Sequence, residues 1–237
     1  MKLGILSYCD NLRTYAHCNH QVYAERNGYT YIFDIAPTKR AQHTTELDYF
    51  AKISKLLKFL DLFDRIFWID DDAFFTDFNR QLEPIIALHP EADLIFCKSP
   101  VNEEGGWTYI SSGNFFLRNT PATRTFLEAL LTVDMEKVKS WWDSSKYGIF
   151  TNGDQDAMVY LLEGPHKLPI KYVRLEYPYF NTRPSHFTDR LEEHLLVHFT
   201  GGAKRQQAQA FGQRFGLDED IVPHDIRAAF LGVRQRK

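Results

Sequence analysis

Apolar residues in this chain fall into short unbroken runs that alternate with stretches of helical spacing. Lys2 to Tyr8 is apolar and ends in Cys9-Asp10-Asn11, which predicts a strand and then a loop. From Thr14 to Asn27 the stripe Tyr15, Cys18, Val22 and Tyr23 has the period of a helix, and Gly28 fits its C-cap. Tyr29 to Asp34 then reads as a second strand. Phe50 to Phe63 is amphipathic through Ile53, Leu56, Leu57, Leu60 and Phe63. Arg65 to Ile69 and Asp93 to Cys97 are continuous apolar runs, the pattern of strands buried on both faces. Trp107 to Leu117 predicts paired strands around Ser112-Gly113. Pro121 to Leu131 and Asp154 to Leu162 predict helices, and Val173 to Leu175 and Leu195 to Phe199 predict short strands. Strand and helix alternate as in βαβ units, so the expected fold is α/β: a mostly parallel sheet with helices on both faces. No repeat or linker interrupts it. One domain over 1–237 is expected, with a mobile C-terminal tail from about 203.

Composition narrows the classes. The chain has 237 residues, a length that suits one α/β domain. A net charge of −3 provides no global basic field, so nucleic acid is not expected as a partner. Arg234, Arg236 and Lys237 form a basic end that supports at most peripheral contact with an anionic membrane face; a solvated terminus is the plainer reading. Cys9, Cys18 and Cys97 lack metal-ligand spacing, which suggests reduced thiols in a cytoplasmic protein. No export signal and no run of roughly 20 apolar residues is present.

In open α/β sheets ligands sit beyond the carboxyl ends of the strands, so the polar residues there carry the candidate chemistry. Ile66 to Ile69 leads into Asp70-Asp71-Asp72. Three carboxylates at the end of a buried strand repel one another unless a cation or a raised pKa relieves them. In an extended segment Asp70 and Asp72 share a face and can grip one ion, while Asp71 points away. A helix cap is the plain alternative, but a cap needs only one carboxylate. Leu195 to Val197 similarly delivers His198, followed by Thr200-Gly201-Gly202-Ala203-Lys204. An imidazole added to carboxylates favours Mn²⁺, with Mg²⁺ second. Gly201 lets backbone approach a phosphate, and Lys204 supplies a point cation. Tyr8 and Asp10, after the first strand, could meet a nucleotide base or ribose; a plain loop is equally consistent. Trp107, Trp141, Trp142 and Tyr147 could stack on an acceptor, although core packing is the plainer role for each.

These residues, in this order, resemble the galactosyl/mannosyl/xylosyltransferase family, which includes the yeast α-1,2-galactosyltransferases and the plant xyloglucan xylosyltransferases. The resemblance is carried by Phe67 to Ala73 and by Tyr23 to Tyr29. It continues through Phe50-Ala51-Lys52-Ile53, Ser112 to Asn119, Asp154-Gln155, Phe180-Asn181 and His198 to Gly201, and spans about residues 2 to 204. It implies a GT-A fold with a small antiparallel acceptor-side element, a nucleoside-diphosphate sugar donor, Mn²⁺, and a retaining transfer to a glycan acceptor. It implies metal ligation by Asp70, Asp72 and His198, and donor contacts from Lys52, Asp70, Asp71, Ser111, Gly113, Gly201 and Lys204. Asp154 and Gln155 would face the anomeric centre as the catalytic pair, although Asp154 could equally be a helix N-cap. Two positions depart from the family: Ser111 replaces Asn, and Gly153 replaces an Asp found in some members. UDP-galactose is the lead donor; UDP-glucose, UDP-xylose and GDP-mannose stay open. Two other classes fit part of the pattern: a haloacid-dehalogenase-like phosphohydrolase, which also uses two aspartates one residue apart, and a non-catalytic sugar-binding module. Neither accounts for His198 to Lys204.

Overall fold

The structure is a computed structural model and describes residues 1–35, 50–102 and 104–234. The basic end falls outside these residues, apart from Arg234 at the close of the last helix. The elements run β1 (Leu3–Tyr8), α1 (Ala16–Asn27), β2 (Thr30–Asp34), α2 (Ala51–Phe59), β3 (Arg65–Ile69), β4 (Ala73–Phe75), α3 (Glu83–Ala87), β5 (Leu94–Cys97), β6 (Ser111–Arg118), α4 (Pro121–Leu130), α5 (Met135–Trp141), α6 (Ser144–Tyr147), α7 (Asp154–Glu163), β7 (Tyr172–Leu175), β8 (Leu196–His198), α8 (Lys204–Phe215) and α9 (His224–Arg234).

Six strands form the main sheet in the order β2-β1-β3-β6-β5-β7. All pair in parallel except β6, which is antiparallel to both β3 and β5. The unbroken apolar runs have a direct cause. Along β3, Ile66 and Trp68 enter one core cluster, while Phe67 and Ile69 enter the other. Both faces of the sheet are therefore covered: by α2, α4 and α7 on one side, and by α1 and α3 on the other. Each such apolar side chain removed from water contributes about 1.5–3 kcal/mol, so the centre of the sheet is a rigid support for whatever its strand ends carry.

Two expectations are corrected. Trp107 to Leu117 does not form paired strands. It is an approach loop and the single strand β6, because β6 finds antiparallel partners on both sides instead of folding back on itself. The short strand expected from Leu195 is β8, which pairs with β4 in a separate two-stranded antiparallel sheet. The segment after 203 is two helices and not a loose tail. Ala208 and Phe211 of α8, with Ile221, pack against Phe74, Val197 and Phe199 of the small sheet. That contact covers the apolar face that β4 and β8 would otherwise expose.

A candidate metal centre at the strand ends

The carboxyl end of β3 meets the small sheet at Asp70 to Ala73. This segment is a tight turn, with Ala73 N donating to Asp70 O at 3.2 Å, and not the extended stretch expected from the sequence. Asp70 and Asp72 nevertheless converge, because the turn swings Asp72 inward while β4 returns along β8. Thr14, just before α1, locks the turn by donating its Oγ1 hydrogen to Asp71 O.

A second irregularity completes the centre. Phe96 of β5 faces Phe115, but Cys97 faces Ser111, so residues 112–114 of β6 bulge away from β5. The bulge stays paired with β3, Asp70 N donating to Gly113 O at 2.8 Å. Gly113 thereby enters the space between Asp70 and His198. A Cβ there would lie 2.3 Å from His198 Cε1 and 3.2 Å from Asp70 Oδ2. Only glycine leaves that space open.

Asp70, Asp72 and His198 each present a ligand atom, and these atoms lie within 4.8 Å of one another. His198 is buried beside Arg183, and both effects push its pKa below the ordinary histidine value, so the ring is neutral. Of the two side chains at His198 Nδ1, Asn114 Nδ2 at 3.2 Å and Asn181 Oδ1 at 2.8 Å, Asn181 is the nearer. Its Nδ2 donates to Lys98 O at 3.0 Å, which turns Oδ1 toward His198 Nδ1 at 2.8 Å. An oxygen there can only accept, so Nδ1 carries the hydrogen and Nε2 keeps a lone pair. That lone pair faces Asp72 Oδ1 at 3.2 Å. Asp72 Oδ1 is buried and accepts from no donor among the described residues. Burial raises the pKa of Asp72, and Lys204, which pairs with Asp72 Oδ2, acts against it. Two unshared lone pairs thus oppose each other in a buried space. A divalent cation with hard oxygen and imidazole ligands fits this donor set.

On the other side of Gly113 the charges are already matched. Lys52 Nζ lies 3.3 Å from Asp70 Oδ1 and 3.1 Å from Asp154 Oδ2, and it donates to Ser112 O at 3.0 Å. Burial would lower its pKa, but Asp154 and then Asp70 outweigh this and raise it. Trp68 Nε1 donates to Asp70 Oδ1 at 2.7 Å. Lys52, expected at the donor, has its ammonium enclosed by these partners.

The N-cap alternative for Asp154 is answered by its neighbour. Asp156 Oδ2 accepts from Thr151 N, Thr151 Oγ1 and Gly153 N, and so caps α7. Asp154 faces Lys52 instead and is buried, whereas Gln155 lines an open cleft of about 810 Å³. The same cleft is lined by Trp107, Thr108, Arg183, Thr200 and Gly201. Of the four aromatics considered for stacking, Trp107 alone lines it. Trp141 and Tyr147 pack together at 4.7 Å, and Trp142 donates to Gly148 O within the same cluster.

The remaining expected residues are less tightly built in. Tyr8 is half-buried with Lys55 Nζ 4.7 Å over its ring, and Asp10 is exposed beside Arg13 at 3.8 Å. Asp71 is half-buried, and burial with the charges of Asp72 and Asp70 raises its pKa to about 7. Ser111 is buried opposite Cys97. Gly201 is exposed with φ of 87°. Sequence reasoning did not single out Asn181, Asn114, Thr14 or Arg183 as working parts of the site. Asn181 lies in a matched motif, but nothing in its spacing reveals that it orients His198.

The fold is GT-A-like, an architecture found in glycosyltransferases. A glycosyltransferase involved in glycosylating the major capsid of PBCV-1 superposes with a TM-score of 0.64 at 14% identity, over 90% of this chain and all of the other. GlyE of Streptococcus pneumoniae TIGR4 gives 0.54 at 14% identity, over 98% of this chain and 64% of its own. The bifunctional glycosyltransferase WbbM gives 0.51 at 9% identity, over 84% and 46% respectively. The chain thus spans about two thirds of GlyE and under half of WbbM. No sequence-family model and no curated protein matches the chain by sequence.

Proposed function

We propose that this protein is a metal-dependent, retaining glycosyltransferase. It moves a hexose, with galactose from UDP-galactose as the lead donor, to a hydroxyl of a glycan or similar acceptor. The observation that carries this is the orphaned Asp72 Oδ1 facing the His198 Nε2 lone pair across the gap that Gly113 keeps open. Asp70, Asp72 and His198 would hold Mn²⁺ or Mg²⁺, which when bound supplies Lewis-acid stabilisation of a departing diphosphate.

The chain's own residues would do the rest. Lys204 is one third exposed and rests on Asp72, so its ammonium can turn to a phosphate oxygen when a cation takes over Asp72. Gly201 and Gly202, both exposed, let the backbone approach that phosphate. Tyr8, Asp10, Asp71, Ser111 and Gly113 border the donor. Gln155 orients sugar hydroxyls from the cleft wall. Asp154, held by Lys52, adds negative potential beneath the sugar as positive charge develops there. Lys52 acts through Asp154 and Asp70 as a positioning residue.

A thermal-shift panel of UDP, GDP, UDP-galactose, UDP-glucose and GDP-mannose, with and without Mn²⁺, tests this. One nucleotide family should stabilise the protein only with metal, by about 2.7 kcal/mol at a hundred times its Kd. The shift should vanish in Asp72→Ala. Absence of any nucleotide shift in the folded wild type would overturn the proposal. Release of free sugar or phosphate with no acceptor dependence would favour a hydrolase.

A further inference from the structure

The cleft beside the metal centre contains a cation that the transfer reaction as described does not use. Arg183 follows Asn181 and Thr182 on the segment leading to β8. Its Nη2 donates to Ser99 Oγ at 3.2 Å, and its Nη1 lies 3.4 Å from His198 O. Both partners are uncharged. Among the described residues no carboxylate comes within 4.0 Å of its guanidinium, whereas Lys52 and Lys204 of the same centre are each paired with one. Arg183 is only partly exposed, and what remains open faces the cleft shared with Gln155, Trp107 and Thr108. Among the described residues the acid lining that cleft is Glu104, which lies on its exposed rim. A guanidinium has five donors in a fixed fork. No nitrogen of Arg183 is a sealed, unpartnered donor, so those that protein does not match open on the cleft, where an arriving anion can accept from them. Fork geometry matches carboxylate and phosphate oxygens in bidentate fashion.

We infer that Arg183 is the anion-receiving group of the acceptor cleft, and that the acceptor carries a carboxylate or a phosphate next to the sugar ring that Trp107 faces. This deepens the transferase proposal and rests on it for the word acceptor. The donor diphosphate is the competing partner for Arg183. It already has Lys204 and the metal ligands, and the hydrogen bond that Arg183 makes toward the centre is to the backbone oxygen of His198, although its charge also acts on Asp72 and the His198 ring.

The experiment uses the whole chain, with and without saturating UDP and Mn²⁺, and measures by calorimetry the binding of galactose, galacturonate and galactose 6-phosphate. The expected result is that one or both acids bind at least about tenfold more tightly than galactose, since a charge-assisted fork is worth that much. The preference should weaken as salt rises and disappear in Arg183→Gln. Arg183→Lys, which keeps charge without the fork, should retain part of it and covers the case in which the Gln variant does not fold. A preference for galacturonate assigns a carboxylate, and one for the phosphosugar assigns a phosphate. Equal binding of all three sugars overturns the inference. So does a loss of UDP·Mn²⁺ affinity in Arg183→Gln, which would place the guanidinium on the donor. If the acids bind through Arg183 but UDP·Mn²⁺ does not bind the wild type, the anion site stands and the transferase proposal falls.

Discussion

Gly113 separates two carboxylate–cation groups of similar composition. On one side Lys52 lies between Asp70 and Asp154 and is sealed from solvent, and although Asp154 Oδ2 accepts no hydrogen bond among the described residues, it faces the Lys52 ammonium at 3.1 Å. On the other, Asp72 lies between His198 and Lys204 with one oxygen left over and one cation that can swing away. The first group has the arrangement of a structural element. The second presents a donor set of two carboxylates and an imidazole that suits a divalent ion. The difference comes from the identity and reach of the cation. Lys52 rises from inside α2 and is enclosed, while Lys204 starts α8 at the edge of an exposed glycine loop.

The largest expected effect comes from breaking the sealed side. Lys52→Met leaves Asp154 and Asp70 as buried charges with no cation, and removing one member of a buried pair costs about 3–5 kcal/mol. Lys204→Met removes a partner that is one third exposed but leaves Asp72 buried without it, so its cost should be smaller than that of Lys52→Met while exceeding that of a surface pair. It should nonetheless weaken UDP·Mn²⁺ binding. Urea unfolding of both variants without metal separates the two groups; equal losses would erase the distinction.

Next in size is Gly113→Ala. The added methyl would occupy the space beside His198 Cε1 and displace the ring or Asp70. A displacement near 1 Å at a metal centre typically costs about a hundredfold in function, so Mn²⁺-dependent nucleotide binding should fall by at least that factor. The unfolding free energy should change far less than in Lys52→Met. Unaltered Mn²⁺ affinity would show that the ion sits elsewhere.

Asn181→Leu probes the same side from behind. It removes the acceptor that holds His198 Nδ1–H, and loss of such an outer-shell partner lowers metal affinity about 10–100-fold. Titration of the variant with Mn²⁺, followed by the thermal midpoint, checks this. No change would mean that Asn114, whose Nδ2 lies 3.2 Å from the same nitrogen, sets the ring orientation instead.

How far the site was legible follows from this division. Asp70, Asp72 and His198 could be found because each ends an apolar run, and strand ends are where an open α/β sheet places its ligands. The strands themselves were legible because β3 and β5 are apolar on both faces. What escaped was set by pairing partners far away in sequence. The antiparallel course of β6 depends on β3 and β5 flanking it, and the bulge that presents Gly113 exists only against both. The turn at Asp70 to Ala73 depends on β4 finding β8. Helix α8 is polar over most of its surface and shows its few apolar contacts only once the small sheet exists to receive them, while α9 packs through Ile226 and Phe230 on the cluster that α1 and α3 cover. Arg183 carries no local pattern at all; its role depends on which carboxylates are absent around it.

The smallest expected effect concerns a histidine that supports the ion side without touching it. His20 of α1 is fully buried. Its Nε2–H donates to Ala73 O at 2.7 Å, directly after Asp72, and Tyr31 Oη donates to its Nδ1 at 3.2 Å. Burial lowers its pKa to about 3, so the folded ring stays neutral. The unfolded ring takes up a proton near the ordinary value of about 6.5. The unfolded state therefore binds more protons between these two values, and the contribution is fully present above pH 6.5 and lost as pH falls toward 3. The slope from this group alone approaches about 1.4 kcal/mol per pH unit. His20→Gln keeps a donor for Ala73 O without a titrating ring. Between pH 7 and pH 5, without metal, it should lose less stability than the wild type does, even if it starts lower. Parallel pH profiles for the two proteins would assign the acid sensitivity to other groups and leave His20 as packing alone.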